Sequence, residues 1–516
     1  MHRMKPIHRH WLTILLFLVG LQAEAKLVHL LPRPQKVTAT RLTPFALGRP
    51  LHVDDPTHCA YLLRVLTQTG CKADPKARPV VRVRLVPSIP GTVDHAVALF
   101  PNEAYRLSVS PDTISIEAVT PTGVIRAAQT LQQLAEGYRG TPAIETLTLT
   151  DWPAFKVRGF MHDVGRSFLP VDELKDEIDR LARFKVNVFH WHLTEKLAWR
   201  FEVKAFPQLT DAAHATRYPG QYYTQEQCRE IEAYAAERGM TVIPEIDMPG
   251  HFWCGTQAYP LLSCGQDGND PLCLGKDLTL EFCRNVWEEV FQLFPYEYAH
   301  IGGDEVDRSR WAKCPDCQRR IKALGLQGVE ELQAWFTKDM EKFFNAHGRK
   351  LMGWDEILEG GGSRTATVYW WRGDHADVAQ KSTEMGNEVV ICPTTYCYFD
   401  YGQDNNTLKH IYTSDVIPAD LTPKQLKLVK GIQSNAWGEF IPTVGRMQFM
   451  VFPRALAMVE KAWTPNEQQN WDNFSQRLQA QTNGVASMGK RVENDIHILL
   501  PAKRGDMFIP GHHHPF

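Results

Sequence analysis

Eight short apolar runs recur along the chain at 157–161, 186–191, 240–244, 298–301, 350–354, 367–370, 388–391 and 431–434. Each is followed by a stretch with helical spacing. Near-continuous apolar runs fit strands buried on both faces, as in a parallel sheet covered by helices. The spacing predicts a helix over 172–184 that opens with acidic residues. It predicts others over 225–238, stopped by Gly239, and over 332–347, stopped by Gly348. Strand and helix alternating eight times predict a (β/α)8 TIM barrel over residues 151–465.

The rest of the chain frames that barrel. Residues 1–25 have the form of an export signal: Arg3, Lys5 and Arg9, an apolar run from Trp11 to Leu21, then Ala23-Glu24-Ala25 before Lys26. The apolar run is too short to span a bilayer. The expectation is a mature protein without a membrane span, exported to a periplasmic or extracellular space. Residues 26–150 predict a small α/β domain. Runs at 80–86, 105–109 and 113–117 alternate with period two, and Ser110-Pro111-Asp112 forms a turn. A helix over 122–136 places Val124, Ala127, Ala128, Leu131 and Leu134 on one face. Residues 466–516 form a C-terminal extension with a helix over 472–486.

The formal net charge of −2 gives no basic surplus, so nucleic acid is not an expected partner. Eleven cysteines is an odd number. In an oxidising compartment the short-loop disulfide candidates are Cys264 with Cys273 and Cys59 with Cys71. Cys314-Pro315-Asp316-Cys317 has the form of a metal half-site or redox motif, but no second pair stands near it at zinc spacing. A structural or disulfide role is expected, with no metal and no cofactor. Gly511-His512-His513-His514 is too short a tract for a functional metal site.

In a (β/α)8 barrel the chemistry sits at the C-terminal ends of the strands. Here those ends carry Arg166; His190, His192 and Glu195; Glu245, Asp247 and His251; Asp304 and Glu305. The later ends carry Trp354, Asp355 and Glu356; Trp371 and Arg372; Tyr398 and Asp400; Trp437 and Glu439. Any one of these alone reads as structural; loading all eight ends does not. The densest is His300-Ile301-Gly302-Gly303-Asp304-Glu305, where two glycines allow a tight turn before adjacent carboxyls. Adjacent residues leaving a strand point in different directions. One carboxyl can then give a proton while the other stays a fixed negative group, as glycosidic cleavage requires.

These motifs resemble the β-N-acetylhexosaminidases of glycoside hydrolase family 20. The resemblance rests on His300-x-Gly-Gly-Asp-Glu305, Arg158-Gly159-Phe160 through Arg166, and Pro244-Glu245-Ile246-Asp247-Met248-Pro249-Gly250-His251. Trp371-Arg372-Gly373, Tyr398-Phe399-Asp400 and Trp437-Gly438-Glu439 add to it. It implies an exo-acting hydrolase that removes terminal β-linked N-acetylglucosamine or N-acetylgalactosamine from glycans. Glu305 is then the general acid, and Asp304 orients the 2-acetamido group, whose oxygen attacks the anomeric carbon to form an oxazolinium-like intermediate. Arg166, Asp400 and Glu439 bind ring hydroxyls. Trp354, Trp371 and Trp437 wall the pocket, Tyr398 donates to the acetamido oxygen, and His251 tunes Glu305. One departure stands out: Glu195 occupies the place of an Asp that backs the histidine in many relatives, and it is kept outside the site set. The alternatives are a disaccharide-releasing enzyme of lacto-N-biosidase type and a barrel that binds carbohydrate without cleaving it. A metal-dependent hydrolase lacks the helical His-Glu-x-x-His spacing.

Overall fold

The computed structural model describes residues 29–40, 42–93, 101–136, 143–404 and 406–487. The export-signal residues and the closing histidine tract lie outside them. Two compact units are present.

The first unit is built on a seven-stranded mixed sheet. Tyr105–Ser110 and Thr113–Ala118 form its antiparallel hairpin, with Tyr105 opposite Ala118 and Ser110 opposite Thr113. Buried and half-buried residues alternate along both strands, as period-two patterning requires. Val80–Leu85 runs parallel to the second of them. The helix Pro121–Glu136 buries Val124, Ala127, Ala128 and Leu131. The helix Trp471–Ser487 belongs to this unit: Arg477 and Gln481 donate to the backbone carbonyls of Leu30 and His29.

The second unit is a closed barrel of eight parallel strands. They are β1 (Val157–Asp163), β2 (Val188–His192), β3 (Thr241–Glu245), β4 (Tyr298–His300), β5 (Lys350–Trp354), β6 (Thr367–Trp370), β7 (Val389–Ile391) and β8 (Val429–Ala436). The ring closes where β1 pairs with β8, from Val157 opposite Gly431 to His162 opposite Ala436. Apart from the half-buried Lys350 at its start, every strand residue is buried, which is why these segments read as apolar runs rather than alternating ones. The intervening helices carry ordinary end signals. Val171–Arg183 has Asp172 and Glu173 in its first turn and Arg180 and Arg183 in its last, matching the helix dipole. Gln225–Ala236 begins with a capping box between Thr224 and Gln227.

Register aligns the functional ends. Glu245 pairs with His192 on one side and with His300 on the other, and His192 pairs with Asp163. The last residues of β1 to β4 therefore share one level at the mouth of the barrel. The connections after β3 and β4 are long and contain only short helices before Asp277–Leu293 and Pro315–Leu324.

Candidate active site at the barrel mouth

The turn after β4 is shaped by what surrounds it. Gly302 and Gly303 adopt positive φ of 71° and 97°. A Cβ on Gly302 would lie 2.1 Å from Asp247 Oδ1, so only glycine fits there. That close approach lets the Gly303 amide donate to Asp247 Oδ1 at 3.0 Å. The Gly302 amide donates to His300 Nδ1 at 3.1 Å, and Gln333 Nε2 donates to the Gly303 carbonyl at 2.8 Å. Gln333 is itself held by Arg308 Nε at 2.7 Å. The backbone leading to the two carboxyls is thus fixed from three sides.

Asp304 and Glu305 then diverge, as two successive residues leaving a strand should. Asp304 is buried, whereas the Glu305 side chain is 58 % exposed. Glu305 sits at φ 47°, an unusual backbone for a non-glycine residue that is often found where function holds it. His251, at φ 52°, lies between the two carboxyls. Its Nε2 is 3.6 Å from Asp304 Oδ2 and 3.4 Å from Glu305 Oε2.

Electrostatics separate the two carboxyls. Burial raises the pKa of Asp304, against the pull of His251 and a hydrogen bond with Asp247. Burial and the charge of Asp304 push Asp247 well above the usual carboxyl range. Two full charges are therefore disfavoured together on this buried pair. Glu305 is held below its ordinary pKa, first by its close contact with His251. Burial disfavours the His251 cation, yet Asp304 and Glu195 outweigh it and hold the imidazole well above its ordinary pKa.

Glu195 completes this network. Its Oε1 lies 2.9 Å from His251 Nδ1 as an ion pair rather than an aligned hydrogen bond, and it also pairs with Arg166 Nη2. The longer side chain reaches the histidine, so the departure at this position leaves the contact intact. Arg166 is fixed on its other side by Asp163 Oδ2 at 2.8 Å and lies over the Trp437 ring at 5.0 Å.

The aromatic residues form a chain around the mouth. Trp354 and Trp437 have ring centroids 5.7 Å apart, Trp437 and Tyr398 6.2 Å, and Tyr398 and Trp371 6.2 Å with near-parallel planes. Trp354 is only 1 % exposed and forms the floor rather than a side wall. Its Nε1 donates to Glu245 Oε1 at 2.8 Å. Glu245 is a fully buried hub that also takes a 2.6 Å hydrogen bond from His192 Nδ1. Burial alone would raise its pKa, but His192, His300 and His190 hold it well below the usual range. Neighbouring His300 is itself pushed down to about 4 by burial, against the pull of Glu245. Trp371 donates to Glu356 Oε2 at 2.9 Å. Asp400 is buried, its pKa raised to about 7 by desolvation, and its Oδ1 has no hydrogen-bond partner. Glu439 is exposed and faces Arg166 electrostatically.

All the candidate residues at the strand ends thus belong to this one barrel mouth. Sequence reasoning placed three of them at strand ends without giving them a role in the site, and the geometry supplies one. Asp247 pairs with Asp304, Glu195 joins His251 to Arg166, and Glu356 anchors Trp371. Glu356 lies close enough to Asp304 and Asp355 that burial and their charges push it up to about 8. Each was visible only as a polar residue just beyond a strand, and which partner it meets depends on register.

The cysteines depart from expectation. All eleven are free thiols, so neither the Cys264–Cys273 nor the Cys59–Cys71 disulfide is present. Cys314 and Cys317 do have a second pair beside them: Cys264 and Cys273, brought in from the loop after β3. The chain separation hid this, because Cys314 stands 41 positions after Cys273.

A parallel eight-stranded barrel with diverging carboxyls after β4, a clamped arginine and an aromatic ring chain defines a protein of the glycoside-hydrolase class. Residues 155–466 match the glycosyl hydrolase family 20 catalytic domain, and residues 28–152 match domain 2 of the same family. The chain belongs to glycosyl hydrolase family 20. It is 38 % identical over 449 residues to a Beta-hexosaminidase of Porphyromonas gingivalis, covering 80 % of this chain and 57 % of that protein's length. The beta-N-acetylhexosaminidase of Bacteroides fragilis NCTC 9343 superposes with a TM-score of 0.78 at 30 % identity, over 90 % of this chain and 96 % of that one. A GH20 exo beta-N-acetylglucosaminidase from Vibrio harveyi, in complex with N-acetylglucosamine, gives 0.77 at 30 % identity, over 89 % and 77 % of the two chains.

Proposed function

We propose that this chain is an exo-acting β-N-acetylhexosaminidase that hydrolyses terminal β-linked GlcNAc or GalNAc from glycans. The observation that carries the reading is the divergence of Asp304 and Glu305 around His251. The names of the Porphyromonas, Bacteroides and Vibrio proteins support it.

In this reading the sugar enters the mouth with its acetamido group toward buried Asp304 and the aromatic residues Trp354, Trp371, Tyr398 and Trp437. Glu305 protonates the glycosidic oxygen as the C1–O bond breaks. The acetamido oxygen attacks C1 from the opposite face, and positive charge develops on the acetamido nitrogen. Asp304, whose anion the His251 charge favours, accepts the N–H and stabilises the developing charge. Glu305, now a carboxylate, takes a proton from water, which attacks C1, reopens the oxazolinium ring and retains the anomeric configuration. This substrate-assisted route departs from the scheme in which an enzyme carboxylate is the nucleophile. The exposed face of Glu305 suits a leaving group that points to solvent. Arg166 and Glu439, together with the unpaired Oδ1 of Asp400, bind ring hydroxyls. The reaction uses no cofactor. The basic and apolar start of the chain supports export to a periplasmic or extracellular space, where such glycans are met.

The test is Glu305→Gln. It should lose about 10²- to 10⁴-fold on N,N′-diacetylchitobiose, whose leaving group needs a proton, and far less on an aryl glycoside with a good leaving group. Equal losses on both substrates would remove Glu305 from the acid role.

A further inference from the structure

Four thiols from two different loops converge beside the active site. Cys264 and Cys273 lie on the loop after β3; Cys314 and Cys317 flank the start of the helix Pro315–Leu324 after β4. All four are buried, and their sulfurs lie within 4.8 Å of one another. Cys273 Sγ is 3.6 Å from both Cys314 Sγ and Cys317 Sγ, and Cys264 Sγ is 3.9 Å from Cys317 Sγ.

Those distances discriminate between chemistries. Zinc binds thiolate at about 2.3 Å in a tetrahedron, which places neighbouring sulfurs about 3.8 Å apart. Three of the six separations straddle that edge, and the rest lie within 4.8 Å. A disulfide needs about 2.0 Å and pairs sulfurs off, whereas Cys273 stands equally near two partners. An iron–sulfur cluster would hold the thiols farther apart around inorganic sulfide. Four thiolates leave no open position, so the ion such a set suits is structural.

The backbone is built for the same meeting. A Cβ on Gly275 would lie 2.2 Å from the carbonyl carbon of Asp316, so only glycine lets the two loops touch there. Arg310 Nη2 donates to the Cys264 carbonyl at 3.0 Å, and Trp311 Nε1 donates to the Leu272 carbonyl at 2.8 Å. The loop then returns to the active site, since the Leu272 amide donates to the Pro249 carbonyl and the Phe252 amide to Asp270 Oδ1, on either side of His251.

We propose that Cys264, Cys273, Cys314 and Cys317 bind one zinc ion in a closed tetrathiolate site. The ion pins the loop that carries His251 to the loop that carries Asp304 and Glu305. It takes no part in bond cleavage.

The experiment is the metal content of the purified full-length chain, dialysed free of loose metal, beside Cys317→Ser. The expected result is about one zinc per chain in the unsubstituted protein, with four fewer thiols reactive before chelation than after it, and loss of that zinc in the variant. Cobalt exchanged into the unsubstituted protein should show thiolate-to-cobalt charge transfer and tetrahedral d–d bands, a result that stands even if the variant fails to fold. Two disulfides and no metal would overturn the proposal. So would iron in place of zinc. Zinc unchanged in Cys317→Ser would place the ion elsewhere, the closing histidines included, and would overturn it equally.

Discussion

His251 Nε2 lies 3.4 Å from Glu305 Oε2, and both residues hold left-handed backbone, at φ 52° and 47°. Each such conformation costs on the order of 1–3 kcal/mol and persists only where its surroundings enforce it. One such turn presents the imidazole to the carboxyl that the other presents. Glu195 and Asp304 secure the imidazole from its remaining sides.

Glu305 and His251 therefore titrate as a pair that carries one proton. Glu305 sits below its ordinary pKa because of His251, and His251 well above its own because of Asp304, Glu195 and Glu305. The proton remains with the pair above the ordinary histidine range and leaves as pH rises through the raised value. The log of kcat/KM should hold through neutrality and fall on the alkaline side as this proton leaves. In His251→Asn the proton has only Glu305 to reside on, and the alkaline limb should move down by about one pH unit or more. A pH–rate profile of both proteins checks this, and an unmoved limb would contradict it.

Glu195 bridges two cations from a side chain that is 2 % exposed. Glu195→Gln leaves half-buried Arg166 and buried His251 without their shared counter-charge. Urea unfolding should show a loss of about 3 kcal/mol, with a fall in kcat. Glu195→Asp keeps the charge and should lose less on both counts. Equal stability of Glu195→Gln and the unsubstituted protein would show that the pairs are not maintained in solution.

Gly302→Ala adds one methyl where Asp247 Oδ1 stands 2.1 Å from the ideal Cβ, at a φ of 71°. The turn must shift, and Asp304 and Glu305 with it. Displacements of about 1 Å at reacting groups cost on the order of 10²-fold in kcat. Steady-state kinetics beside circular dichroism separate this from unfolding: the expected variant is folded and slow.

Much of this molecule was legible before any coordinates. The barrel strands are buried on both faces, so their apolar runs mark them along the chain, and the predicted limits fall within two residues of all eight strands. The carboxyl pair was legible because two glycines and a preceding strand leave few places for it to go. What was not legible depends on groups far apart in sequence. Nothing near Asp304 in the chain shows that the Asp247 carboxyl is buried against it, nor that a glutamate at 195 spans the distance to His251. Trp354 reads as one more wall until Glu245 is seen to draw its ring into the floor. The four cysteines form two unremarkable pairs in sequence, and only adjacent barrel loops make them one cluster.

The central claim is that the substrate's own acetamido group is the nucleophile, with Asp304 beside it and Glu305 as acid. The most direct measurement is release of p-nitrophenol from its β-N-acetylglucosaminide, run in parallel with the plain β-glucoside. The account predicts cleavage of the first at least about 10³-fold faster, because the glucoside lacks the attacking oxygen. Equal cleavage of the two would contradict it.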